Sequence, residues 1–316
     1  MNEIPKVNLI DFVKGTPTER KNFVASLGNA FETIGFVAVK GHLLTAESQQ
    51  MLYEQVKLFF DLPVSIKAKY EIEGGGGQRG YTGFGKEHAK NKSKGDLKEF
   101  WHFGQEVATN SSLYRQYPPN IQVVELLQFN AVGMKVYQLL EQTALQILQA
   151  IALHLGLDLH YFDSQVQEGN SILRAIHYPP ITSPPKGAVR AAAHGDINLI
   201  TLLMGAQGSG LEVLNHQGKW IAATAAEDEL IINIGDMLSR LTNNRLKSTV
   251  HRVVNPPEEL WGHPRYSVPF FMHPVPTMDL SCLPACVDKA HPKQYEDITA
   301  GDFLQQRLKE LGLLKH

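Results

Sequence analysis

Two histidines and one carboxylate give the first indication of chemistry in this sequence. His194-Gly195-Asp196 places an imidazole and a carboxylate two positions apart, and side chains at such positions of a β-strand point to the same face. This motif alone is weak, because a chain with 13 histidines contains such pairs by chance. His251 lies in a second predicted strand and adds a third ligand. Two histidines and one carboxylate suit Fe(II) and leave coordination positions open, so we predict an iron site.

An arginine and a serine further along the chain predict an anion site. Arg265 and Ser267 alternate within the run that ends in Phe270-Phe271, so their side chains share one face of a strand. A buried guanidinium without a partner is very costly, and an inward-facing Arg265 therefore demands an anionic ligand. The combination of this pair with the two histidines and Asp196 is much more specific than either part.

Short strand-forming runs in the second half of the chain predict the β architecture that positions these groups. After Asn170, apolar and β-branched residues cluster in runs that turn residues separate. Many short strands at this spacing are typical of a sandwich or barrel, and a jelly roll is the leading candidate. The predicted strands cover residues 172–177, 198–204, 211–214, 220–224, 230–234, 248–254 and 266–272.

Helical patterns and capping signals predict helices that brace this β region. Thr16-Pro17-Thr18-Glu19 has the form of a capping box with proline in the first turn, and Thr299 caps a closing helix. Further helices are predicted over residues 45–60 and 119–155, whereas the four glycines at 74–77 must be loop. We expect one integrated globular unit with an N-terminal α/β region (1–118), a long bracing helix (119–160), a β core that holds the site (171–275) and a C-terminal helical segment (276–316).

The motifs also give the chain a resemblance to the iron(II)- and 2-oxoglutarate-dependent dioxygenases, in the isopenicillin N synthase-like branch. The resemblance covers nearly the full length, and its N-terminal part rests on Arg79-Gly80-Tyr81 and Asp96-Leu97-Lys98-Glu99-Phe100. Its C-terminal part rests on Asn233-Ile234-Gly235-Asp236 and on the segment that begins at His251. The resemblance implies a mixed α and β fold with a mainly β core, a double-stranded β-helix (jelly roll) with bracing helices.

The resemblance further assigns roles to individual residues. It implies that three residues hold Fe(II), with O2 taking the last position on the metal, and that three others bind the co-substrate 2-oxoglutarate. Ile176 stands where the family has asparagine, so the polar contact of that asparagine is not expected here. The implied reaction couples oxidative decarboxylation of 2-oxoglutarate to hydroxylation, desaturation or ring closure of a small organic substrate. The implied residues are His194, Asp196 and His251 for the metal, Arg265, Ser267 and Tyr178 for 2-oxoglutarate, and Tyr81 and Phe271 for the substrate side.

Other interpretations stay open at this point. Isopenicillin N synthase and aminocyclopropane carboxylate oxidase belong to the same branch and use no 2-oxoglutarate, although they share the Arg-x-Ser pair. An ethylene- or succinate-forming reaction on 2-oxoglutarate itself is another outcome within the branch. The fold could also serve a non-catalytic ligand-binding protein, although such a protein needs no open iron site. Nothing in the sequence indicates the organic substrate or the oligomeric state.

Composition narrows the range of partners. The formal net charge is −2, which argues against a nucleic-acid-binding protein because such proteins usually carry a basic excess. No run approaches the ~18 apolar residues that a membrane span requires. Cys282 and Cys286 are too few for a disulfide framework, which fits a reducing compartment. We therefore expect a cytoplasmic enzyme with a small-molecule substrate and with no nucleic-acid or membrane partner.

Overall fold

The helices lie mainly in the first half of the chain and at its C-terminal end. The computed structural model describes residues 3–72, 77–87, 96–185, 188–205 and 210–310, so the predicted glycine loop lies, apart from Gly77, outside the described residues. The helices of these ranges are α1 (Leu9–Val13), α2 (Pro17–Thr33), α3 (Ala46–Phe60), α4 (Val64–Lys67), α5 (Phe129–His154), α6 (Asp163–Val166), α7 (Asp236–Leu241) and α8 (Ala300–Glu310).

The strands of the described ranges form two sheets. The larger sheet has the order β1-β2-β10-β7-β13-β5-β4-β3, with β12 also paired to β5, and the smaller sheet has the order β6-β11-β8-β9. Only β1 and β2 run parallel among these pairs. The strands are β1 (Lys6–Asn8), β2 (Phe36–Lys40), β3 (Gly80–Thr82), β4 (Glu99–Gly104), β5 (Ile172–Tyr178), β6 (Ala191–His194), β7 (Ile200–Leu203), β8 (Leu211–Leu214), β9 (Trp220–Ala222), β10 (Leu230–Ile234), β11 (His251–Val253), β12 (Arg265–Ser267) and β13 (Pro269–Met272).

The two sheets carry different parts of the predicted site. His194 and His251 are register partners on β6 and β11 of the smaller sheet, whereas Arg265 pairs with Tyr178 across β12 and β5 of the larger sheet. A small cavity between the sheets is lined by residues of both. This is the double-stranded β-helix, or jelly roll, that the sequence predicts, and it brings the predicted metal ligands close to the predicted anion-binding residues Ser267 and Tyr178.

Helix α5 braces the larger sheet. It packs against β4, β5, β7 and β13, and also against α2 and α3. Val136, Leu140 and Ile147 recur at helical spacing and are all buried, which is the pattern of an amphipathic helix whose apolar side faces a core. Each side chain of this kind stabilises the fold by about 1.5–3 kcal/mol when it is fully buried. The predicted bracing helix is therefore present.

The bracing helix is nevertheless shorter than the predicted span of 119–155. It begins at Phe129, and the preceding ten residues form irregular backbone and turns. The Asn130 side chain accepts a hydrogen bond from Val123 N (2.9 Å) and donates one to Ile121 O (2.6 Å). These bonds satisfy backbone groups that an earlier start of the helix would have paired, and they fix the entry of the chain into α5.

Other boundaries follow local chemistry. Thr16 and Glu19 form the predicted capping box of α2, and Thr45 caps α3. The strand predicted over 266–272 is divided at Val268 into β12 and β13, because Pro269 has no N–H for the ladder. No helix in the described parts of the chain has the length and apolar character needed to cross a bilayer.

Candidate metal centre and its cavity

Three potential metal ligands converge where β6 and β11 meet. The ligand atoms of His194, Asp196 and His251 all lie within 4.8 Å of one another. Asp196 Oδ1 is 3.9 Å from His194 Nε2 and 3.8 Å from His251 Nε2. The structure corrects one detail of the sequence argument, because β6 ends at His194 and Asp196 lies beyond the strand. The backbone turn after β6, rather than strand alternation, brings the carboxylate to the imidazoles.

The imidazole rings are oriented by backbone carbonyls. His194 Nδ1 lies 2.7 Å from Ala192 O, and His251 Nδ1 lies 3.2 Å from Thr249 O. A carbonyl can only accept, so each Nδ1 carries a proton, and Nε2 is the nitrogen that holds the lone pair of the neutral ring. Both lone pairs belong to the nitrogens that face Asp196 Oδ1. Outer hydrogen bonds of this kind are usual for metal-binding histidines.

The Asp196 carboxylate is held by two residues that the sequence interpretation missed. Thr201 Oγ1 donates to Asp196 Oδ2 at 2.7 Å, and Asn233 Nδ2 donates to the same oxygen at 2.8 Å. Asn198 Nδ2 in turn donates to Thr201 Oγ1 at 3.2 Å. These bonds occupy Oδ2 and leave Oδ1 directed at the histidines. A polar residue inside the apolar run of β10 was the available signal for Asn233, because a buried amide must find a partner.

Electrostatics keep His194 and Asp196 in the protonation states that a metal ion requires. Burial, and next the nearby His251, lower the pKa of His194 to about 4, so the ring is neutral at pH 7. Burial opposes ionisation of Asp196, but the two histidines and the hydrogen bonds from Asn233 and Thr201 outweigh it and lower the pKa of that carboxyl. Metal ligands must be deprotonated to bind, and both groups meet that condition.

A buried guanidinium without a counter-ion lies on the facing sheet. Arg265 is 1% exposed, and its Nε and Nη1 have no hydrogen-bond partner among the described residues. Its Cζ lies 5.0 Å from the centre of the Tyr178 ring. Ser267 and Tyr178 line the small cavity between the sheets, together with His194, Asp196 and His251. Two of the predicted anion-binding residues therefore border the same space as the predicted metal ligands, and Arg265 adjoins that space through the Tyr178 ring. A buried guanidinium with a neighbouring hydroxyl fits an anionic ligand.

A larger cavity of about 800 Å³ opens on the other side of His194. The His194 side chain is 41% exposed, whereas those of Asp196 and His251 are nearly buried. The two residues predicted for the substrate side both border this cavity, and Phe271 also borders the smaller one. The Tyr81 hydroxyl donates to Glu99, so that its polar atom is already engaged within the protein. Leu304 and Leu308 of α8 complete part of the wall.

Four charged residues of the large cavity, Lys98, Arg174, Glu87 and Asp96, are paired with one another. Lys98 Nζ lies 2.7 Å from Glu87 and 2.9 Å from Asp96, and Arg174 Nη1 lies 3.2 Å from Glu87. The Arg174 guanidinium also lies over the Phe100 ring, with 4.2 Å from Cζ to the ring centre. Within the described wall, these contacts leave each of the four charges with an opposite partner.

Two neutral histidines of this wall were not expected to matter from the sequence. Arg174 Nε donates to His102 Nε2 at 2.6 Å, and burial and then the charge of Arg174 lower the pKa of His102 well below its usual value. Burial lowers the pKa of His273 to about 4. Both rings border the cavity as uncharged hydrogen-bonding groups. His177, by contrast, lies on the face of β5 opposite to that of its neighbour Tyr178, as strand alternation predicts. Its Nδ1 lies 2.7 Å from a carboxylate oxygen of Glu99.

Comparison of the sequence with known families gives two matches. The profile described as the 2OG-Fe(II) oxygenase superfamily matches residues 169–274. The profile described as non-haem dioxygenase in morphine synthesis N-terminal matches residues 7–124. A 2-oxoglutarate-Fe(II) type oxidoreductase, ppzD, from Metarhizium rileyi is 30% identical, with 96% of this chain and 90% of that protein covered.

Solved structures give the same result at the level of the fold. A protein of Caulobacter crescentus assigned to the 2OG-Fe(II) oxygenase family is 42% identical, with a TM-score of 0.89 over 98% of this chain and 100% of that one. A full-length protein of Neurospora crassa in complex with alpha-KG is 31% identical, with a TM-score of 0.84 over 97% of this chain and 96% of that one. The same Neurospora protein has also been crystallised with alpha-KG together with thymine or 5-formyluracil.

Proposed function

Since the chain belongs to the 2OG-Fe(II) oxygenase superfamily, we propose that His194, Asp196 and His251 bind its Fe(II). We propose further that Arg265, Ser267 and Tyr178 bind its 2-oxoglutarate. The protein is an enzyme, a non-haem Fe(II) dioxygenase that couples the oxidative decarboxylation of 2-oxoglutarate to oxidation of an organic substrate. The observation that carries the assignment of residues is the convergence of two imidazole Nε2 atoms and Asp196 Oδ1 within 4.8 Å.

The donor set fits the metal and the co-substrate. Two neutral imidazoles and one carboxylate suit Fe(II) and leave further coordination positions open. When bound, the metal supplies O2 activation, in which 2-oxoglutarate becomes succinate and CO2 while the organic substrate is oxidised. The buried Arg265 fork is matched to a carboxylate, and it would hold the distal end of 2-oxoglutarate so that the keto acid end points at the metal ligands. Ser267 adds a hydroxyl donor next to that carboxylate.

The remaining walls exclude water and admit substrate from one side. Phe36, Leu203 and Ile231 line the small cavity and keep it apolar around the anion site. Charge-assisted hydrogen bonds are stronger in such a water-poor space. His194 is the ligand that opens to the large cavity, and we infer that the substrate approaches the metal from there, past Phe271 and Tyr81.

The substrate is, in this proposal, a small uncharged molecule with hydrogen-bonding groups. Support comes from the large cavity, because Arg174 and Lys98 are already neutralised by Glu87 and Asp96. An unpaired ionic group of a ligand would have no free counter-charge among these described residues, whereas His102 and His273 offer neutral polar contacts. The binding of thymine and 5-formyluracil by the Neurospora protein gives a precedent for neutral nitrogen heterocycles in a related fold.

Succinate formation tests the assignment of the metal ligands. The protein is loaded with Fe(II) without O2, mixed with 2-oxoglutarate and exposed to O2. We expect wild-type protein to release succinate, and His194→Ala to lose that activity together with Fe(II) binding. His160→Ala is the matched control, because His160 is an exposed histidine whose ring contacts the surface carboxylate of Asp163. A wild-type protein that binds iron but never converts 2-oxoglutarate would contradict the assignment.

A substrate panel tests the proposed substrate class. Uracil, thymine and other neutral heterocycles are compared with carboxylate- and amine-bearing molecules of similar size, and succinate release above the substrate-free rate is measured. We expect stimulation by members of the neutral set, with oxidised product formed in step with succinate. Stimulation by charged compounds alone would refute the substrate class and leave the metal site unaffected.

A further inference from the structure

A second buried arginine, Arg190, lies beside the anion site and has no role in the function proposed above. We propose that Arg190 supplies a second positive charge to the site that takes the distal carboxylate of 2-oxoglutarate, and that it acts as a binding residue alongside Arg265. This inference rests on the proposed function, because it concerns the same co-substrate site. In this proposal two guanidiniums, rather than one, select a ligand that carries a distal carboxylate.

The position of Arg190 brings it to the same aromatic ring as Arg265. Arg190 directly precedes β6, the strand that ends in His194, and is 4% exposed. Its Cζ lies 5.8 Å from the centre of the Tyr178 ring, and the Cζ of Arg265 lies 5.0 Å from that same centre. One guanidinium therefore comes from each sheet, and both adjoin the phenol ring that borders the small cavity.

The protein itself provides little compensation for this charge. Among the described residues, Arg190 makes one hydrogen bond, a long one from Nη2 to His263 O at 3.4 Å, and its buried Nε has no partner there. Burial and then the charge of Arg265 lower the pKa of Arg190, and no carboxylate among the described residues counteracts them. A buried cation next to a like charge is unfavourable unless an anion joins the pair.

The other buried cations differ from Arg190 in this respect. Lys67 lies 2.8 Å from Glu99, and Lys98 lies 2.9 Å from Asp96. Arg79 has no ion pair, but it donates two hydrogen bonds, to Gln78 O at 2.8 Å and to Asn170 Oδ1 at 3.0 Å. Arg190 and Arg265 stand apart among the described residues, since both are buried, both adjoin Tyr178 and neither has an anionic partner.

A structural role is the competing explanation. The bond to His263 O could make Arg190 a latch for the segment that leads into Arg265, and its removal would then disturb the site without regard to the charge of the ligand. The two roles differ in their consequences. A latch predicts lower stability without ligand, whereas removal of an uncompensated buried charge leaves the stability of the ligand-free protein equal or higher. A binding role also makes the effect specific for ligands with a distal carboxylate.

The test compares two keto acids that differ only at the distal end. Affinities of the anaerobic Fe(II)-loaded protein for 2-oxoglutarate and 2-oxopentanoate are measured by calorimetric titration, and melting temperatures are recorded without ligand. We expect Arg190→Met to weaken 2-oxoglutarate binding about tenfold, as expected for loss of a charged partner, and to leave 2-oxopentanoate binding unchanged. Arg190→Lys should retain part of the preference for 2-oxoglutarate over 2-oxopentanoate. Arg245→Gln is the control, because it removes one arginine charge at a half-exposed ion pair with Glu32.

The measurements distinguish a binding role of Arg190 from a structural role and from a failure of the proposed function. Equal weakening of both keto acids, no weakening of either, or a lower melting temperature of ligand-free Arg190→Met would overturn the inference. If Arg190→Met does not fold, the conservative Arg190→Lys decides, because a latch predicts equal loss for both ligands and a charge partner predicts retained preference for 2-oxoglutarate. Wild-type protein that fails to bind 2-oxoglutarate would instead contradict the proposed function.

Discussion

Asn233 offers the sharpest test of how the metal ligands are held. Its Nδ2 donates to Asp196 Oδ2 at 2.8 Å, and Thr201 Oγ1 donates to the same atom at 2.7 Å. Asn233→Leu removes one of these two donors and leaves an apolar side chain of similar size in β10. The carboxylate then keeps only Thr201 to hold Oδ2 away from the metal, so that Oδ1 is less well fixed.

The expected loss of Fe(II) affinity follows from the energy of the hydrogen bond that is removed. A hydrogen bond to a charged group contributes about 1.5–3 kcal/mol, and loss of an outer partner of a metal ligand lowers metal affinity about 10–100-fold. Because Thr201 remains, we expect the lower end, about tenfold, for Asn233→Leu and about 100-fold for the double variant with Thr201→Val. The lost bond also lowers the pKa of Asp196 in the wild type, so that pKa rises in the variant and metal binding fails at a higher pH on acidification.

Anaerobic competition with a fluorescent chelator measures the Fe(II) affinity of each variant between pH 5 and 8. Asn130→Leu is the matched control, since Asn130 is also a buried asparagine with two hydrogen bonds but serves the start of α5. It should lower stability without changing metal affinity. An Asn233→Leu protein that remains folded and binds Fe(II) within twofold of wild type would refute the idea that Asn233 orients Asp196.

Three further predictions concern the co-substrate, the core and the pH dependence. Arg265→Gln should raise the KM for 2-oxoglutarate about 100-fold, because loss of one partner of a buried charge pair costs about 2–5 kcal/mol; steady-state succinate assays measure it, and an unchanged KM would contradict it. Glu99→Gln should lower the free energy of unfolding in urea by about 3–5 kcal/mol, because it leaves Lys67 buried without its partner at 2.8 Å; a loss below about 1 kcal/mol would contradict this. Burial lowers the pKa of His273 to about 4, so between that value and about 6.5 this residue binds a proton in the unfolded chain but not in the folded chain. The free energy of unfolding of the wild type should therefore fall on acidification through this window, and that of His273→Phe should fall less steeply, as measured by urea melts at several pH values. Parallel curves for the two proteins would exclude His273 as a source of this pH dependence.

The strands and the reactive residues were predictable because each carries its own signal. The predicted runs at 211–214 and 230–234 coincide with β8 and β10, since apolar and β-branched residues bounded by turns leave few alternatives. Asp196 and the two histidines are residue types with distinctive metal chemistry, so the sequence identified a cluster that lies together in the fold.

Residues that act through others were not predictable in the same way. Thr201 and Asn233 are single polar residues in short apolar runs, and their contact with Asp196 follows from register between strands that are far apart in sequence. Asn233 faces Thr201 across β10 and β7, a pairing that one sequence does not encode locally. The start of α5 was placed too early for a related reason, because the Asn130 side chain captures the preceding backbone instead of joining a longer helix.

A crystal structure of the anaerobic protein with Fe(II) and 2-oxoglutarate would show which side chains bind the metal and the co-substrate. Anomalous scattering at the iron edge locates the metal independently of the positions of the protein atoms. We expect iron bonded to Nε2 of His194 and His251 and to Oδ1 of Asp196, with the distal carboxylate of 2-oxoglutarate on Arg265. Iron at any other set of side chains, or a distal carboxylate remote from Arg265, would contradict it.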